Sequence, residues 1–238
     1  MNNEEPFKNI PILIRDNLLK IRETLPAQVS LVAVSKTKPV ELLMEAYEAG
    51  QRIFGENKAL EMRDKHEALP KDIAWHFIGH LQTNKVKYIA PFVSLIHSID
   101  SLDLLKVVEK EAAKNERVID CLLQFHIATE ETKFGLDLQE AEALLQSAEY
   151  KAMSHVRICG VMGMATNTDD MQLVRQEFRH LNELFHQLKE RYFAADTAFA
   201  IRSMGMSHDY PIAVEEGSTL VRVGSSIFGP RNYQQVND

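Results

Sequence analysis

Cysteine is scarce in this chain, with two among 238 residues, Cys121 and Cys159, in separate apolar runs. Without a Cys-x-x-Cys pair they offer no disulfide framework and no thiolate metal site, and they read as small buried hydrophobes of a reducing compartment. No apolar run approaches the ~20 residues that cross a bilayer. The opening MNNEEPFKNIPILIRDNL is acidic and lacks the basic-then-apolar order of a signal peptide. The expectation is a soluble, cytoplasmic protein. Positive charge is also short: 27 Lys and Arg stand against 34 Asp and Glu, a formal net charge of −7. That balance excludes the broad basic surface that nucleic-acid binding needs, though a local pocket can still favour a small anion. Nothing divides the chain, neither a Gly/Ser linker nor a low-complexity stretch nor a charge block. A hydrophobic share of 45% suits one domain over residues 1–238.

What the sequence does have is a repeating order, in which a short apolar run precedes a longer amphipathic one. That order marks βα units around a parallel sheet. A helix is predicted over 6–24, and strands over 29–34, 52–54, 73–78, 94–97, 118–126, 156–162, 197–201 and 220–223. Helical patterns fall between them at 40–49, 56–68, 102–114, 138–147, 171–191 and 212–215. This α/β alternation fits a closed (β/α)₈ barrel of the TIM type, with an extra N-terminal helix, better than a doubly wound open sheet. The latter advertises itself with Gly-x-Gly-x-x-Gly after the first strand, where this chain has Ser35-Lys36-Thr37-Lys38-Pro39.

Barrels of this kind carry function at the C-terminal ends of their strands. Alternation puts Lys36 on the face of Val32 and Val34. If that face is inward, the amine enters the barrel mouth, where desolvation lowers its pKa and makes it a nucleophile. Alone, Lys36 reads first as a solvated lysine at a strand end. Arg222 lies between Val221 and Val223 and faces opposite to them, and a charge in mid-strand needs a partner. Gly224-Ser225-Ser226 then brings backbone N–H groups and hydroxyls before a short last helix, where TIM barrels recurrently bind phosphate. The stretch Ser203-Met204-Gly205-Met206-Ser207 is expected to add hydroxyls at the same rim. Each Gly/Ser stretch alone is more often a turn. Taken together, an amine, a guanidinium and a phosphate cradle match the aldehyde, ring nitrogen and phosphate of pyridoxal 5′-phosphate.

At these residues the chain resembles the pyridoxal phosphate homeostasis proteins, whose barrel is similar to the N-terminal domain of alanine racemase. The matching stretches run in order through nearly the whole chain. They are Val32-Ala33-Val34-Ser35-Lys36-Thr37, Phe54-Gly55-Glu56-Asn57, Trp75-His76-Phe77-Ile78-Gly79 with Leu81-Gln82 and Asn84-Lys85, Lys133-Phe134-Gly135, Ser203 to Ser207, and Gly217-Ser218-Thr219 through Phe228-Gly229. The resemblance implies that Lys36 carries the cofactor as a Schiff base and that Asn57 lies beside the ring. It further implies that Ser207, Gly224 and Ser225 hold the phosphate and that Arg222 faces the pyridine nitrogen. The chain departs from the common pattern at His80, and at His126, where an Asn often ends strand five.

An arginine opposite the ring nitrogen cannot accept a proton, so the ring stays unprotonated and is a poor electron sink. Racemases of this fold add a second base, which the resemblance makes a Tyr from a separate domain. The chain stops at Asp238, soon after strand eight, which leads us to expect no such domain. Tyr47, Tyr88, Tyr150 and Tyr192 fall in outer helices, and Tyr210 falls near the mouth. The expected function is intracellular buffering or delivery of the cofactor to apo-enzymes by a non-catalytic monomer. The alternatives are a racemase-like enzyme of unknown substrate and a barrel acting through protein contacts alone. His76 and His80 do not share a helical face, so no metal site is expected. Met164 and Met206 fall at strand ends, where a cofactor ring would lie.

Overall fold

The computed structural model describes residues 13–129 and 134–230. Eight strands pair in parallel in chain order and close into one barrel. Helix α1 (Ile14–Thr24) precedes β1 (Ser30–Val34), α2 (Val40–Glu48), β2 (Ile53–Glu56), α3 (Ala59–Ala68) and β3 (Ala74–Phe77). A short helical segment, α4 (Val86–Ile89), then leads to β4 (Leu95–Ile99), α5 (Leu102–Lys114) and β5 (Ile119–Phe125). The second half holds α6 (Leu138–Gln146), α7 (Ala148–Lys151), β6 (Val156–Gly163), α8 (Met171–Tyr192), β7 (Ile201–Ser203), α9 (Tyr210–Glu215), β8 (Leu220–Val223) and α10 (Ser225–Phe228). The predicted TIM-type barrel is therefore the observed fold. Residues 6–12 of the predicted first helix, and Lys133, lie outside the described residues.

Two apolar layers follow from strand alternation. Val32, Leu95, Leu122, Cys159, Met162 and Leu220 fill the barrel interior. Residues on the opposite faces, such as Ala33, Phe54, Trp75 and Phe77, pack against the helices. Both cysteines are buried and unpaired. Asp170 caps α8 by accepting from the amides of Gln172 and Leu173, and Asp137 with Glu140 forms a capping box on α6. No described helix is long and apolar enough to cross a membrane.

Two sequence expectations need correction. The seventh strand is Ile201–Ser203 and not 197–201, because Phe199 stacks on Phe185 and Phe193 at 5.0 and 4.1 Å and belongs to the outer layer. Glu56 does not begin a helix; it ends β2, fully buried and paired in register with Phe77.

Gly160 marks a register shift between β5 and β6, with a φ of 152°. A Cβ there would lie 1.9 Å from the carbonyl oxygen of Ile201, so only glycine lets β7 approach. Gly160→Ala is expected to cost about 2–4 kcal/mol. Thermal melting should register this as a midpoint lower by roughly 5–15 °C, and an unchanged midpoint would contradict the close approach.

Candidate functional site

Closure of the barrel sets β1 against β8, with Val32 opposite Arg222. Above this seam, at the C-terminal ends of the strands, lies a cavity of about 290 Å³. Lys36, Asn57, Ser207, Arg222, Gly224 and Ser225 all line it, joined by Met164 and Met206. The sequence thus brought its whole candidate set to one place.

Lys36 leaves β1 half-buried, on a turn where Thr37 takes a φ of 64°. That left-handed conformation is uncommon for a β-branched residue and costs of order 1–3 kcal/mol. Lys38 reaches across to the last strand's loop, donating to the carbonyls of Phe228, Gly229 and Pro230 at 3.0, 3.2 and 2.8 Å. The two loops that bound the cavity are thereby tied to each other.

On the opposite wall, the turn after β7 is fixed by Asp209, buried, whose carboxylate accepts the Met206 amide at 2.5 Å. Ser207 then accepts the Gly224 amide at 3.1 Å. A Cβ on Gly224 would stand 3.0 Å from the Val34 carbonyl oxygen, so the loop backbone packs directly on the strand that carries Lys36. Ser225 and Ser226 open α10, where no intrahelical carbonyl serves their amides. Ser225 lines the cavity; Ser226, exposed, is not among its lining residues.

Arg222 is buried beneath the cavity floor and pinned from two sides. It donates to the Ser203 carbonyl and hydroxyl at 2.8 and 2.5 Å and to the Gly163 carbonyl at 3.0 Å. Five guanidinium N–H groups less these three bonds leave two for another acceptor. Ser203 is therefore not a rim hydroxyl as expected; it points inward and continues a buried chain. His97 Nδ1 lies 2.9 Å from Ser203 Oγ, and His97 Nε2 lies 3.0 Å from His76 Nδ1. His97 accordingly sits buried in the barrel interior.

Burial governs the protonation of this chain. It lowers the Arg222 pKa to about 10, with Asp209 opposing, so the guanidinium stays charged at neutral pH. It lowers His76 to about 4, and it holds His97 well below its ordinary value with help from the nearby charges of His76 and Arg222. Glu56, close to the Lys36 turn, is pushed up to about 7 by burial, opposed by Lys65 and Ser35.

Asn57 Oδ1 is buried with no protein partner, a polar atom left over at the cavity wall. Tyr210 turns away: its hydroxyl meets Thr24 Oγ1 at 3.0 Å, and no tyrosine is among the residues that line the cavity. His80 stacks on Phe134 at 4.1 Å and faces Asp100 at 3.4 Å, apart from His76. Among the described residues no group of three or more His, Cys, Asp or Glu could hold a metal ion. Sequence reasoning missed Lys38, Asn167 and His208 as lining residues, since loop positions carry no periodic signal.

The family model for the N-terminal domain of alanine racemase matches residues 13–232. The pyridoxal phosphate homeostasis protein of Aquifex aeolicus is 42% identical over 85% of this chain and 87% of its own length. The same-named protein of Escherichia coli is 34% identical over 93% and 98%. Among solved structures, PipY of Synechococcus elongatus with pyridoxal phosphate bound superposes with a TM-score of 0.81, at 34% identity over 91% of this chain and all of that one. An alanine racemase from Bartonella henselae with covalently bound pyridoxal phosphate shares the fold alone, at 17% identity, a TM-score of 0.69, and coverage of 92% of this chain and 58% of that one.

Acid is expected to weaken the fold through the two buried histidines. The unfolded chain takes up protons on them below about pH 6.5, whereas the folded His76 waits until about 4, so stability falls as pH drops through that window. Glu56 has the opposite sign, because its folded pKa of about 7 exceeds the unfolded 4.5, but it is one group against two. Melting at pH 6.5 and pH 5 checks this, and a higher midpoint at pH 5 would contradict it.

Proposed function

This chain belongs to the pyridoxal phosphate homeostasis proteins, built on the barrel of the alanine racemase N-terminal domain, and we propose that it holds pyridoxal 5′-phosphate reversibly on Lys36 to buffer and deliver the cofactor. The observation that carries the reading is the convergence of three chemistries on one cavity: the Lys36 amine, the Arg222 guanidinium, and a wall at Gly224 that carries the Ser207 and Ser225 hydroxyls and the Ser225 amide. When bound, the cofactor supplies a reactive aldehyde and an electron-withdrawing pyridine ring. In this reading Lys36 takes the aldehyde end and the Ser207–Gly224–Ser225 wall takes the phosphate. Arg222 offers one of its two remaining N–H groups to the ring nitrogen, and Asn57 stands beside the ring with its unpartnered Oδ1. Met164 and Met206 give the ring soft apolar walls.

Storage and delivery, in place of catalysis, is supported by Arg222. A guanidinium that remains charged, and that Ser203 and Gly163 hold in place, keeps the ring nitrogen free of a proton and weakens the ring as an electron sink. The racemase-like alternative needs a second base near the cofactor. His208, exposed at the cavity and 3.6 Å from Asp209, is one lining side chain that could serve such an enzyme as that base. We take the working form to be a cytoplasmic monomer that passes the cofactor to apo-enzymes.

Borohydride treatment of the protein with pyridoxal phosphate is expected to leave one cofactor mass on the peptide containing Lys36. Lys36→Ala should lose both the trapped mass and the visible absorbance. Trapping on a different lysine, or undiminished trapping in Lys36→Ala, would contradict the assignment. Incubation with single D- or L-amino acids should give no racemisation beyond that of free cofactor; rapid turnover would favour the enzyme.

A further inference from the structure

The residues on either side of Lys36 are gripped from beneath by one buried charge cluster. Lys65, buried near the end of α3, sets its ammonium 2.7 Å from each of three oxygens: the Ser35 carbonyl, Glu56 Oε1 and Glu61 Oε1. An ammonium has three N–H donors, so Lys65 is fully committed. The Ser35 hydroxyl donates to the same Glu56 oxygen at 2.6 Å. Glu61 Oε1 also accepts the amide of Thr37 at 2.6 Å, on the far side of Lys36. Both peptide groups that bracket Lys36 are therefore fixed by side chains from β2 and α3.

This cluster is a poor choice if fold stability is its purpose. Buried ion pairs stabilise little compared with apolar packing of the same volume. Glu56 Oε2 is moreover buried with no partner at all. What the cluster does supply is direction. Thr37, at a φ of 64°, tends to relax to a negative φ unless its amide is held. Relaxation of that residue rotates the peptide from which the Lys36 side chain departs. The amine then no longer faces the cavity at the height of Ser207 and Gly224, and a ligand held at both ends loses one of them.

We propose that Glu56, Glu61 and Lys65 are positioning residues that clamp the strained Lys36 turn and thereby set how tightly the cofactor is retained. The inference rests on the reading of Lys36 as the cofactor anchor. None of the three needs to touch the cofactor, and their effect passes through the backbone of Ser35 and Thr37.

Glu61 is the member to test, because its side chain is 22% exposed and it is the least buried of the three. Glu61→Ala is compared with Glu61→Gln, which keeps an acceptor oxygen for the Thr37 amide. Two quantities are read: hydrogen exchange at Thr37 in cofactor-free protein, and the dissociation constant for pyridoxal phosphate from its visible absorbance. In Glu61→Ala, exchange should quicken about tenfold and the dissociation constant should rise about tenfold, with Glu61→Gln restoring most of both. The clamp is overturned if Glu61→Ala binds as the wild type does, or if Glu61→Gln is as impaired as Glu61→Ala. A wild-type protein that traps no cofactor on Lys36 would instead sink the reading of the site, so the two failures are distinguishable.

Discussion

The hydrogen-bonded seam between β1 and β8 is the constraint from which the site follows. Ser30 pairs with Leu220, Val32 with Arg222 and Ala33 with Val223, so residues from opposite ends of the chain are locked in register. Side chains alternate along both strands, and this pairing fixes that Val32 and Arg222 share the interior face. Everything above the seam inherits that register. Lys36 emerges beside Gly224, Lys38 spans to the carbonyls at 228–230, and Gly224 packs so closely on the Val34 carbonyl that a Cβ there would stand only 3.0 Å from its oxygen. A slip of one residue would reverse the faces and put Arg222 among the helices.

Below the cavity, the barrel interior carries one polar chain beside the apolar cluster of Val32, Leu95, Leu122, Cys159, Met162 and Leu220, where most barrels of this size hold branched apolar residues throughout. Arg222, Ser203, His97 and His76 form one hydrogen-bonded chain across β8, β7, β4 and β3. A buried guanidinium is costly unless every side of it is answered, and here two carbonyls and a hydroxyl answer three of its five donors. The chain holds the planar fork still while its remaining N–H groups stay available. Neutral histidines suit this role, since a second charge next to Arg222 would repel it.

Much of this was legible in the sequence because apolar strands and amphipathic helices differ in period. Helix α5 was read to the residue, and seven strands fell within two residues of their observed ends. Lys36, Arg222 and the Gly/Ser stretches after β7 and β8 drew notice because strand ends and parity along a strand are local facts, whereas Asn57 was named only through the family resemblance; all six line one cavity. The failures share a different cause. Strand β7 has the polar Arg202 and Ser203 where an apolar run was sought, and the apolar Phe199 before it belongs to an aromatic stack with Phe185 and Phe193. Ser203 was read as a rim hydroxyl because its partner, Arg222, is contributed by another strand. Glu56 fell inside the helical pattern over 56–68, whereas Lys65 and Ser35 meet it in the interior at the end of β2. In each case the deciding partner sits on another element, and periodicity along one segment carries no information about it.

The account turns on a cofactor held at two ends, by the Lys36 amine and by the Ser207–Gly224–Ser225 wall. The most direct measurement is a crystal structure of the protein grown with pyridoxal phosphate. The expected result is continuous density from Lys36 Nζ into the ring, with the phosphate against Ser207, Gly224 and Ser225 and the ring nitrogen facing Arg222. Density joined to Lys38 or any other lysine, or a phosphate lying away from the loop after β8, would contradict the account.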